Sequence, residues 1–128
     1  MTVIEILPGN SIGGISLGSA VDSLPKGAVV RELDGEFHGI SFTHKDGKVD
    51  DVWIDDLRKI RYPVRLAGRD LPHKASLKKL KELFGSCERL PGLKGGVAFT
   101  CQSGILLGCD FDEKGRFIEI RLLPPKTE

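Results

Sequence analysis

Apolar positions in this chain fall in short, mostly alternating runs cut by glycine and proline, the pattern of strands joined by tight turns. Residues 2–7 (TVIEIL) form a β-branched run that stops at Pro8-Gly9, which predicts a first strand. Residues 28–33 (AVVREL), ending at Asp34-Gly35, and residues 37–43 (FHGISFT) predict two further hairpin strands. In the second of these, Phe37, Gly39 and Ser41 alternate with His38, Ile40 and Phe42. Asp46-Gly47 then separates FHGISFTH from KVDDVWID, and an Asp-Gly pair accepts the positive φ angles of a two-residue hairpin turn. Residues 61–71 contain Pro63 and Gly68 and predict a broken edge hairpin. The runs CERL, GGVAFTCQ, GILLGCDF and GRFIEIRL complete the strands, punctuated by Pro91-Gly92, Ser103-Gly104 and Lys114-Gly115.

Two segments depart from this period. In residues 74–84, Leu77, Leu80, Leu83 and Phe84 recur at helical spacing opposite a lysine-rich side, which predicts an amphipathic helix closed by Gly85. Residues 10–25 (NSIGGISLGSAVDSLP) are glycine-rich, yet Gly18 is followed by no lysine of the Walker kind. Pro25 also leaves too short a helix for a dinucleotide crossover. The stretch is expected to steer the chain into a short helix over residues 19–24, capped by Ser19 with Asp22 as the capping-box acid.

An internal echo links these elements. DGKVDDVWI (46–54) matches KGRFIEIRL (114–122), with Gly47 against Gly115, Val49 against Phe117, Asp51 against Glu119, Val52 against Ile120 and Ile54 against Leu122. Each copy follows a strand beginning Gly-Ile and, further upstream, a predicted helix. The expected fold is α+β: one antiparallel sheet built from two helix-plus-hairpin units, helices packed on one face, residues 1–128 forming a single domain.

Composition narrows the function. Nineteen basic and 18 acidic side chains leave a net charge of +1, so binding to nucleic acid or an anionic membrane would need a local patch. No window approaches the ~20 apolar residues of a membrane span and no leader pattern is read, so a cytoplasmic protein is expected, without membrane or nucleic-acid partners. Cys87, Cys101 and Cys109 are an odd count without Cys-x-x-Cys spacing, and are expected as reduced, buried thiols. His38, His44 and His73 share no ligand spacing, so no metal and no cofactor are expected.

Catalytic groupings are equally sparse. There is no Gly-x-Ser-x-Gly elbow, Cys101 or Cys109 would need one of the histidines beside it, and the adjacent pairs Asp50-Asp51 and Asp55-Asp56 point to opposite faces of a strand. No catalytic residue and no enzymatic activity are expected. A small cytosolic enzyme, or a weak nucleic-acid module using Lys74, Lys78, Lys79 and Lys81, stand as the alternatives.

The run IGGISLGSAVDSL, followed by hairpins and a second such unit, resembles small bacterial immunity proteins that neutralise polymorphic or contact-dependent growth-inhibition toxins. The repeated plan is also similar to the β-lactamase inhibitor protein and related outer-membrane assembly lipoproteins. The shared elements are the Ile-x-x-Ile-x-Leu-Gly entry and the Asp-Gly hairpin. Secreted relatives carry signal peptides and some carry disulfides; neither is read here, which points to the cytosolic immunity type. The near-neutral charge departs from the strongly acidic immunity proteins directed against nucleases. The resemblance implies an inhibitor that binds and blocks a cognate toxin domain, with a nuclease among the candidates.

Strand alternation then proposes a binding face. Within residues 49–55, Asp50, Val52 and Ile54 share one side and Val49, Asp51, Trp53 and Asp55 the other. The echo puts Ile118, Ile120 and Leu122 on the core side with the first set. The partner-binding set is therefore Val49, Asp51, Trp53, Asp55, Phe117, Glu119 and Arg121. Trp53 is either exposed there or covered by residues 59–72. An exposed tryptophan among carboxylates has the composition of an interface hot spot, its acids suited to the lysines and arginines that a nuclease uses on its substrate.

Overall fold

The computed structural model describes residues 2–91, 96–110 and 118–124. Three short strands come first: β1 (Ile4–Leu7), β2 (Ser11–Ile12) and β3 (Ile15–Ser16). Then come β4 (Val29–Val30), β5 (Asp34–Phe37), β6 (Ile40–Lys45) and β7 (Lys48–Ile54). After β8 (Val64–Leu66) and β9 (Arg69–Asp70) stands the helix α1 (Leu77–Phe84), followed by β10 (Cys87–Arg89), β11 (Gly96–Cys101), β12 (Ile105–Asp110) and β13 (Ile118–Leu122).

These elements make two sheets. Five strands are ordered β3-β2-β1-β8-β9, with β8 joining β1 in parallel; eight antiparallel strands are ordered β10-β11-β12-β13-β7-β6-β5-β4. The protein is thus mostly β, with one α-helix among the described residues, and the expected α+β plan of two helix-plus-hairpin units is overturned. The cause lies in the glycine-rich stretch. Gly13-Gly14 turns β2 into β3, with φ of 60° and 84°, and only Val21–Ser23 forms a helical turn, of the 3-10 type. Ala20, not Ser19, stands at the cap of that turn, and no side chain caps it. With Pro25 so near, the segment lacks the length to sustain an α-helix.

Turn chemistry accounts for the hairpins. Asp46-Gly47 joins β6 to β7 with φ of 53° and 77°. Asp34-Gly35 does not form the expected turn: it lies inside β5, the chain reversing before it at residues 31–33 and again at His38-Gly39, with φ of 51° and 88°, which splits the strand expected over residues 37–43. Gly35 serves packing, because a Cβ there would collide with the Phe42 ring and the Val29 carbonyl.

One continuous core lies between the sheets. Ile4, Ile6, Ile12 and Ile15 from the small sheet join Ile40, Phe42, Val52 and Ile54 from the large one, every one of them at most 1 % exposed. α1 adds Leu77, Leu80 and Phe84 beside β12. Its first turn is capped by Ser76, whose Oγ accepts from the Lys79 N–H at 3.1 Å, and it ends at Gly85 with φ 70°. No described helix is long and apolar enough to cross a membrane.

Strand register also corrects the cysteines. Cys87 and Cys101 stand directly opposite on β10 and β11, Cα atoms 4.0 Å apart, and are joined by a disulfide. The expectation of three reduced thiols fails because cross-strand register is invisible in linear spacing. Cys109 is buried on β12, opposite Val97.

Candidate functional site

Side chains on a strand alternate, so the large sheet has an inner face against the core and an outer one. On the outer face, one cross-strand row runs from edge to edge: Val29, Glu36, Ser41, Trp53, Arg121, Leu106, Thr100 and Glu88. None of its positions is buried. Trp53 and Arg121 occupy the middle, on neighbouring strands β7 and β13, with the Arg121 guanidinium 4.5 Å from the centroid of the indole.

Carboxylates hold this pair. β7 and β13 run antiparallel, so Asp51 (two residues before Trp53) and Glu119 (two before Arg121) lie on opposite sides of it. Arg121 Nη1 donates to Asp51, and Nη2 donates to Glu119 at 3.1 Å. Trp53 Nε1 donates to Asp55 Oδ1 at 2.5 Å. Thr43 Oγ1 donates to Asp50 at 2.5 Å, and Arg31 bonds Asp34 at 2.7 Å. The Arg31 guanidinium is raised above its ordinary pKa, chiefly by that hydrogen bond and then by the Asp34 charge. Asp34, Glu36, Asp50, Asp51, Asp55 and Glu119 outnumber Arg31 and Arg121, so this part of the face is acidic.

Five residues of the sequence-derived set converge here: Asp51, Trp53, Asp55, Glu119 and Arg121. Val49 does not. Thr43 pairs with Asp51 while His44 pairs with Val49, which leaves Asp50 as the extra residue of a β-bulge. The bulge reverses the alternation and turns Val49 into the core, 2 % exposed. Phe117 and the Lys114-Gly115 turn lie outside the described residues, as does Gly92. Trp53 is partly exposed, and β8 and β9, within residues 59–72, extend the small sheet on the side of Val52 and Ile54.

Sequence reasoning missed Glu36, Ser41, Thr43 and Leu106. Ser41 and Thr43 were legible, since they alternate with buried Ile40 and Phe42 and face the strand across the Asp46-Gly47 turn. Leu106 was not, because nothing local marks which side of an apolar run looks outward.

The row ends near a cleft of about 470 Å³ lined by Ser86, Glu88, Thr100, Gln102 and Ser103. It holds one carboxylate and no histidine, and Cys101 at its wall is tied in the disulfide. Among the described residues, no three His, Cys, Asp or Glu side chains gather as metal ligands would. No protein-family model, no curated protein and no solved structure matches this chain.

Proposed function

We propose that this chain is an immunity protein that binds a cognate bacterial toxin domain through the outer face of the eight-stranded sheet and blocks it by occlusion, without turnover. The observation that carries the reading is the open cross-strand row centred on Trp53 and Arg121, flanked by the carboxylates Asp51, Asp55 and Glu119. A partly exposed tryptophan, fixed in place by neighbours on a rigid sheet, loses little side-chain freedom on binding, which is the property of a hot spot. The surrounding carboxylates complement a basic partner surface such as a nuclease active site, and would steer its approach.

The test uses candidate toxin domains taken from the reading frames that flank the gene of this protein. Trp53→Ala is expected to weaken binding by about 2 kcal/mol or more by calorimetry, with the fold unchanged by circular dichroism. In stopped-flow, Glu36→Lys and Asp55→Lys should slow association more than they speed dissociation. Unchanged affinity in a folded Trp53→Ala variant would remove this face from the proposal, and absence of binding by the native protein would end it.

Cytoplasmic action belongs to the same proposal and has its own check. Disulfides persist in oxidising compartments and are rare in a reducing cytoplasm. Alkylation trapping in the source cells should find Cys87 and Cys101 as thiols if the protein works in the cytoplasm; an intact disulfide there would place it outside.

A further inference from the structure

A second surface lies at the end of the β5–β6 hairpin. His38 opens its turn in the left-handed region, at φ 51°, which histidine visits more readily than most non-glycine residues but still seldom. Its exposed ring lies 4.3 Å from that of Phe37 and 4.5 Å from that of Tyr62, tilted 50° and 57°, so neither neighbour stacks flat upon it. Gly39 follows, at φ 88°, and a Cβ there would collide with Ile60. Ile60 is buried under the turn, while its chain neighbours Lys59 and Arg61 stay exposed at the rim. His38, Gly39, Lys59, Arg61 and Tyr62 enclose a cleft of about 300 Å³. Arg61 and Tyr62 also line an adjoining cleft of about 490 Å³, walled by Pro63, Leu71, Pro72 and His73.

Cations and aromatic rings occur together at this cleft. Among the described residues, Asp55 accepts from Trp53 Nε1, Asp56 accepts from the backbone N–H groups of Arg58 and Ile118, and exposed Asp70 lies 3.5 Å from Arg65. Among the described residues, no carboxylate forms an ion pair with Arg58, Lys59 or Arg61, three cations that stand within four positions beside two aromatic rings. The chain as a whole carries only +1, so anion binding requires a local patch of this kind.

We infer that the cleft binds one unpaired nucleotide, free or within a single strand, its base against His38 and Tyr62 and its phosphate on Lys59 and Arg61. Aromatic rings accept any base on their faces and cations take the phosphate, the combination that single-strand binders use. An acidic peptide would satisfy the cations but leave the rings without planar partners. The site shares no side chain with the Trp53 row and is independent of the toxin-binding proposal.

Fluorescence anisotropy of the full chain with labelled oligo(dT), together with amide chemical shifts on adding unlabelled dTMP, tests this at low salt. Saturable binding is expected, with shifts at His38, Gly39 and Tyr62. Lys59→Ala/Arg61→Ala should weaken it at least about tenfold. His38→Asn, which tolerates the same left-handed turn, should weaken it roughly fivefold with the hairpin intact. Binding of dTMP as well as oligo(dT) identifies a free nucleotide as the ligand, and binding of oligo(dT) alone identifies a strand; either supports the proposal. It is overturned if neither binds, if the variants bind as the native chain does, or if an abasic oligomer or a glutamate-rich peptide binds equally well. Lys59→Ala/Arg61→Ala should bind the toxin domain as the native chain does, which separates failure of this site from failure of the toxin-binding face.

Discussion

Arg121 is the residue on which most of the outer face converges: it bonds Asp51 and Glu119 and lies against the indole of Trp53. Its side chain and both carboxylates remain between a quarter and a third exposed, so solvent screens the attraction and limits what the pairs contribute. Removing the guanidinium nevertheless leaves two carboxylates and a tryptophan face without their shared partner. Arg121→Gln is expected to lower stability by roughly 1 kcal/mol in urea titration at low salt, with the loss shrinking in 1 M salt, where the screening length falls to about 3 Å. A loss that persists in high salt would show the guanidinium to act by packing instead. Gly35 behaves differently, because its constraint is steric: Gly35→Ala drives a methyl group into the Phe42 ring and the Val29 carbonyl, and should cost about 1–3 kcal/mol at any salt concentration. The sequence suggested a turn glycine at that position. Only the partner strand reveals why a side chain is excluded.

At the scale of elements, what the sequence made legible depended on range. The Asp46-Gly47 hairpin and the end of α1 at Gly85 rest on local chemistry, and both stand in the structure. The bulge at Asp50 does not advertise itself, since V-D-D-V-W-I alternates acceptably with or without it, and so Val49 was assigned to the wrong face. The Cys87–Cys101 link likewise exists only through the pairing of β10 with β11. That link closes a loop with a sequence separation of 14 that contains one edge strand of the large sheet. In the chain-entropy account, a loop of this length stabilises the folded state by about 3 kcal/mol. Denaturant titration of a Cys87→Ser/Cys101→Ser variant is expected to show a loss of that order, with the loss centred on β10 and β11 in hydrogen exchange. Equal protection in both proteins would mean that pairing alone holds the edge.

For the whole molecule, the decisive feature is that the core belongs to both sheets at once. Alternation and turn residues revealed most of the strands and the half of the outer face carried by β7 and β13. They could not reveal that residues 2–16 and 64–70 leave the main sheet to build a second one over it, because that choice is made by packing between segments far apart in sequence. Ile6 shows the consequence: it lies on β1 and is fully buried, in the same cluster as Phe42, Val52 and Ile120 of the large sheet. Neither layer can bury its apolar face alone, so the two should melt together. Ile6→Ala leaves a cavity at that shared boundary and should cost about 2–5 kcal/mol, lowering the urea midpoint without changing the slope. Trp53 stands on the outer face of the large sheet, away from the mutated layer, and its fluorescence reports that sheet alone. If the core is cooperative, the fluorescence transition of Ile6→Ala will coincide with that from far-ultraviolet circular dichroism, both displaced by the same amount. A variant whose circular dichroism falls first, while Trp53 keeps its native emission, would show that the small sheet unfolds by itself and that the large sheet supports the binding face without it.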